Sequence, residues 1–126
     1  MREITTHKVN GCNSALRLTA DNEPGLGGAN HRYTIHGMRD AEPPIGVPQS
    51  VTLEFQNGPI KEFGTNGLTQ EVLLAVLIDR LEGFQSGPFA CDENAEALFH
   101  LKRAVSFLNA RTEKRVERGV EGTHEV

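Results

Sequence analysis

The sequence predicts an α+β chain, a small N-terminal antiparallel β-sheet packed on a C-terminal two-helix hairpin. Three observations carry that reading. Short runs that alternate apolar and polar residues crowd the first half, a run apolar on every face opens the second, and a long amphipathic stretch follows it. The chain reads as one domain with a β-rich part over 1–68, a helical hairpin over 69–118 and a C-terminal tail over 119–126. Its 126 residues at 37% apolar composition suffice for one modest core but hardly for two.

Met1 to Val9 alternates weakly, with Ile4 beside the β-branched Thr5 and Thr6, and suits a short strand. Leu16 and Leu18 flank Arg17 in a second candidate. Asp21-Asn22-Glu23-Pro24-Gly25-Leu26-Gly27-Gly28 forbids regular structure. Its glycines suggest a phosphate loop, but no Lys-Ser or Lys-Thr follows and the next element reads as a strand, so the helix dipole that would hold a phosphate is missing. His31 to His36 alternates as a half-buried strand. After the Pro-rich connection Ala41 to Pro48, Ser50 to Gln56 alternates more clearly, with Val51, Leu53 and Phe55 directed inward. Asn57-Gly58 signals a turn, Ile60 to Phe63 reads as a further short strand, and Gly64-Thr65-Asn66-Gly67 leads into the hairpin.

The first helix opens at Thr69, an N-cap type, with Glu71 in its first turn, and closes near Gly83. Val72 to Ile78 is apolar on every face, which requires cover from several sides: the second helix, the sheet and another copy of the chain. Phe84 to Phe89 makes the connection. The second helix takes Asp92 as N-cap and Gly119 as its stop. Leu98, Leu101, Val105 and Leu108 form its buried stripe, with Ala95 and Ala104 beside it. Beyond Leu108 the stripe gives way to basic groups, and Arg111 and Arg115, four residues apart, share a face. The tail from Val120 to Val126 is either loose or folded on a neighbour.

Net charge is −4, with Lys and Arg concentrated after Lys102, which argues against a coat for long DNA or RNA but suits a small phosphorylated ligand. The apolar run is far too short for a membrane span and no signal-like segment opens the chain, so a cytosolic protein is expected. Cys12 and Cys91 show no metal-ligand spacing and are expected as reduced thiols. The five histidines, His7, His31, His36, His100 and His124, match no metal or nucleophile motif. Glu93 with Glu96, and Glu113 with Glu117, have spacings that ordinary ion pairs also use. Neither a metal, nor a cofactor, nor a catalytic residue is expected; binding chemistry remains.

The best binding constellation joins the hairpin tip to the basic end. Phe84 offers a ring for stacking, Asn94 an amide that both donates and accepts, and Arg111 and Arg115 forked donors for phosphate. Asn94 and Arg111 lie 17 residues apart on one helix, about 25 Å at the standard rise. Only two antiparallel copies, the tip of one beside the tail of the other, bring them to one small ligand. The competing reading has Phe84 capping the core, Asn94 bonding in the first helical turn, and the arginines in a solvated face with Glu113 and Glu117.

Four runs carry a resemblance: Gly27 to Tyr33, Phe55 to Ile60, Asp79 to Phe89, and Arg118 to Thr123 with Arg111 and Arg115 ahead of it. They resemble phage proteins of the Thoeris anti-defence type, which share a helical-hairpin domain with the anti-CBASS nucleotide sponges. The resemblance implies a non-catalytic sponge that sequesters glycocyclic ADP-ribose from TIR enzymes, with cyclic di- and trinucleotides as further ligands, inside the infected bacterial host. It also implies that Phe84, Asn94, Arg111 and Arg115 grip the ligand between two subunits, and that dimers assemble into hexamers. Arg118, Thr123 and His124 are candidates for a further pocket, with a helix stop and subunit packing as the alternative. Asn30, His31 and Tyr33 fall in a family-like run for which a structural role is expected. Two other classes remain: a homo-oligomeric interaction or regulatory protein without a nucleotide ligand, and an enzyme that degrades the signal.

Overall fold

A computed structural model describes residues 1–37 and 49–125. The chain divides between Asn57 and Gly58 into two compact units, each described by itself. The Pro-rich connection Ala41 to Pro48 lies outside the described residues, as does Val126.

The first unit holds a four-stranded antiparallel sheet in the order β1-β2-β3-β4, with β1 Arg2–Ile4, β2 Leu16–Ala20, β3 Arg32–Gly37 and β4 Ser50–Glu54. Each strand pairs with its neighbour in sequence. Ile4 faces Leu18, Leu18 faces Ile35, and Ile35 faces Val51. The period of two therefore gathers Ile4, Leu18, Ile35, Val51, Tyr33 and Leu53 on one face and Thr19, Thr34 and Thr52 on the other. Phe55 continues the apolar face and meets Tyr33 edge to face at 5.7 Å. Val51 shares that face but remains 47% exposed, whereas Leu53, two residues on along β4, is half-buried. A one-turn helix, α1 Gly11–Ser14, interrupts the β1–β2 connection, and Asn10 caps it by accepting from the Asn13 amide. Four residues without apolar periodicity carry no helix signal in the sequence.

The irregular run after β2 is tied down by its side chains. Asn22 Oδ1 accepts from the His31 and Arg32 amides at 3.2 and 3.3 Å, and Asn30 Nδ2 donates to the Asn22 carbonyl. Asp21 accepts from the Thr19 hydroxyl at 2.6 Å and from the Thr34 hydroxyl. These two bonds, helped by the positive Arg32 and by His36 and opposed by partial burial, hold the Asp21 carboxyl below its ordinary value.

In the second unit Ile60–Phe63 is a single helical turn, α2, and not the expected strand. Pro59, with φ of −65°, starts the turn, Phe63 N donates to the Pro59 carbonyl at 2.9 Å, and Gly64 ends it. The ring of Phe63 lies against Gly58, where φ of +89° already favours glycine.

The hairpin consists of α3 Gln70–Gln85 and α4 Asp92–Glu117. Thr69 is the N-cap of α3, its hydroxyl accepting from the Val72 amide at 3.2 Å. α3 continues past Gly83 to Gln85, because Gly83 is compatible with helical φ and Pro88, which would block the helix, lies beyond it. Cys91, rather than Asp92, occupies the N-cap of α4, and Asp92 and Glu93 stand in the first turn, where their charge favours the dipole. The displacement follows from the connection: the Gln85 amide accepts from Cys91 N at 3.0 Å and donates to Cys91 O at 3.1 Å, fixing that residue in an extended backbone. One side chain thus closes the turn.

Leu98, Leu101, Val105 and Leu108 are half-buried along α4, as are Leu74, Ile78 and Leu81 along α3. Cover from several sides is not met within the hairpin. Val72, Val76 and Leu77 are 44%, 58% and 47% exposed.

Two predictions follow from these contacts. The lowered Asp21 pKa contributes stability that is fully present above the unfolded value, about 3.9, and is lost as pH falls through the lower folded value. Asp21→Asn should therefore lower the urea midpoint at neutral pH and flatten its decline below about pH 4; an unchanged acid limb would contradict the assignment. Gln85→Ala, which removes both bonds across the turn, should cost about 1–2 kcal/mol in urea unfolding, and loss within error would show that the turn holds without the clamp.

Candidate functional site

Phe84 sits in the last turn of α3 and is 37% exposed. Its ring meets Phe89 edge to face at 6.4 Å, and the Arg80 guanidinium lies 5.1 Å from its centroid. It lies open at the tip with a cation already over the ring, which suits stacking of a further flat, electron-rich group. Arg80 escaped the sequence reading, although its four-residue spacing from Phe84 on one helix is the signal that finds it. Asn94 is half-buried in the first turn of α4. Among the described residues its amide makes no side-chain hydrogen bond.

Because α4 is one unbroken helix of 26 residues, Asn94 and Arg111 stay about 25 Å apart. Phe84 and Asn94 therefore stand at the tip, and the arginines at the other end. A hollow of about 450 Å³ runs along the last turns of α4, lined by Phe107, Ala110, Arg111, Lys114, Arg115 and Arg118. Four of these six side chains are cationic. Phe107 is 67% exposed and carries the Arg103 guanidinium 5.5 Å from its ring centroid. Arg111 makes no ion pair and no side-chain hydrogen bond among the described residues. Its planar fork is disposed to take a phosphate bidentately.

Arg115 is placed differently, at 9% exposure. Its Nε donates to Glu121 Oε2 at 3.1 Å, Nη1 to the Glu125 carbonyl at 2.6 Å, and Nη2 to the Val120 and Thr123 carbonyls at 3.0 and 3.2 Å. The tail is thus not loose over residues 120–125; its own chain holds it. α4 stops as foreseen at Gly119, whose φ of +73° allows the Gly119 amide to donate to Val116 O and the Val120 amide to Arg115 O, both at 3.0 Å. Lys61 N donates to the Gly122 carbonyl at 3.2 Å, and His124 Nε2 lies 3.5 Å from Glu62 Oε2, so the tail also joins α2. Arg118 lines the hollow, whereas Thr123 and His124 belong to the fastening of the tail.

Cys12 and Cys91 are exposed free thiols, and no group of His, Cys, Asp or Glu suited to a metal occurs among the described residues. No helix among them is long and apolar enough to cross a membrane. Asn30 fastens its loop and accepts from Arg2 Nη2 at 3.0 Å, which is a structural task.

The model of the Acb2/Tad1 hairpin domain matches residues 49–113, half of the chain. The chain is similar to "Thoeris anti-defense 1" of Bacillus phage SBSphiJ7, with 51% identity over 101 residues; the match covers 80% of this chain and 66% of that protein, just under two thirds of its length.

Proposed function

The chain belongs to the Acb2/Tad1 hairpin-domain family, and from that membership we propose that it is a phage anti-defence sponge, a non-catalytic protein that captures a cyclic nucleotide immune signal in the host cytoplasm. The proposed ligands are glycocyclic ADP-ribose and, beside it, cyclic di- and trinucleotides. The observation that carries the reading is the cationic hollow at the end of α4, with the fork of Arg111 unengaged among the described residues. A ligand with two phosphates and a base needs such a cation and a flat surface together.

Phe84 stacks on the base, with Arg80 behind the ring, and Asn94 reads the base edge. Arg111 neutralises the pyrophosphate, with Arg115 beside it. Since tip and hollow lie at opposite ends of one helix, the two halves of the site come from two antiparallel copies. The exposed Val72, Val76 and Leu77 provide apolar surface for that pairing, which the chain can extend to a hexamer. The ligand leaves the site unaltered, since capture alone withholds it from the defence effector. The same apolar surface also suits a homo-oligomeric interaction protein with no nucleotide ligand, and titration separates the two.

Calorimetric titration with glycocyclic ADP-riboses and cyclic di- and trinucleotides tests the proposal, followed by chromatography of what heating releases. Tight binding with intact ligand recovered is expected. Arg111→Ala should weaken binding about tenfold or more through loss of charge-assisted hydrogen bonds with an unchanged unfolding midpoint, and Phe84→Ala, which also gives up its contacts with Phe89 and Arg80 and so lowers the midpoint while staying folded, by about 1–3 kcal/mol through lost stacking. Unchanged affinity in both variants would remove the pocket, and altered ligand would identify an enzyme.

A further inference from the structure

The run from Arg111 to Thr123 is the most distinctive in the sequence, and its second half forms one small assembly. Val120, at 7% exposure, is buried where the chain reverses. The Thr123 hydroxyl donates to the Val120 carbonyl. Arg115 gives four of its five N–H groups to the segment between Val120 and Glu125, and the one carboxylate among those partners is Glu121. The same Arg115 side chain lines the hollow beside Arg111. A free arginine surrenders considerable rotamer freedom when it grips a ligand, and one already fixed by its neighbours has surrendered it beforehand.

We infer that Glu121 is a positioning residue of the ligand site: with the tail carbonyls it holds the Arg115 guanidinium at the hollow, so that a fixed cation stands beside Arg111 when a diphosphate arrives. This inference rests on reading the hollow as a phosphate site. It has a sign that simple electrostatics does not share. Removing a carboxylate close to an anion site would by charge alone strengthen anion binding, whereas loss of positioning weakens it.

The test is calorimetric titration of the full chain with glycocyclic ADP-ribose, comparing wild type, Glu121→Ala, Glu121→Gln, Arg115→Ala and the double variant Glu121→Ala with Arg115→Ala. Glu121→Ala is expected to weaken binding about three- to tenfold. Glu121→Gln should recover part of the loss, since its amide oxygen still accepts from Nε. The Glu121→Ala loss should vanish in the Arg115→Ala background, because the two act as one unit. Unchanged or tighter binding by Glu121→Ala overturns the inference, and so does an equal loss with and without Arg115. Should Arg115→Ala fail to fold, Arg115→Lys replaces it. Lysine keeps the charge but lacks the fork that spans the tail, so undiminished affinity there also overturns the inference. A wild-type protein that binds no member of the ligand panel removes the phosphate-site reading and this inference together, whereas wild-type binding that Glu121→Ala leaves intact removes this inference alone.

Discussion

A helix that is apolar on every side cannot be satisfied by one partner helix. α3 has that composition from Val72 to Ile78, and α4 offers it a single stripe, Leu98, Leu101, Val105 and Leu108. The hairpin therefore half-buries Leu74, Ile78 and Leu81 and leaves Val72, Val76 and Leu77 open. Side chains left about half exposed in this way forgo roughly 1 kcal/mol each relative to full burial, a drive toward association. In the proposed account a second copy supplies what the first lacks, and the ligand site arises as a consequence of the pairing.

The stiffness of the hairpin gives that pairing its geometry. Gln85 fastens the turn by bonding both backbone groups of Cys91, and α4 runs unbroken to Glu117. An aromatic tip and a cationic end are thereby held at a constant separation. The ring assigned to the base, Phe84, and the arginine assigned to the phosphates, Arg111, stand at opposite ends, so an antiparallel neighbour is the simplest arrangement that completes the proposed pocket. The tail adds precision at the cationic end: Arg115 is anchored by Glu121 and three carbonyls, while Arg111, one turn earlier, remains free of partners among the described residues.

Features set by local chemistry were legible in the sequence. Thr69 as N-cap, Gly119 as helix stop, the stripe of α4 and the alternation of β2 to β4 each depend on residues a few positions apart. Features set by distant contacts were not. The N-cap at Cys91 depends on the side chain of Gln85, six residues away, and the turn at Ile60–Phe63 has the pattern of a strand because four residues carry too little period to separate the two. Val51 has the same alternating pattern as Leu53, yet only Leu53 is half-buried, a difference that period alone does not carry. Phe84 and Arg111 were legible as residue types suited to a nucleotide. That Arg115, of the same type and on the same face, is enclosed by the tail appears only once the chain has turned back at Gly119.

The central claim, that one binding site is shared between two copies, is tested most directly by mixing. Phe84→Ala and Arg111→Ala protein, each defective alone, would be unfolded together, refolded at equal amounts and titrated with glycocyclic ADP-ribose. If each site takes its ring from one copy and its arginine from the other, random pairing restores about one quarter of the sites at wild-type affinity. No recovery on mixing would place ring and arginine of each site on the same chain and contradict the account.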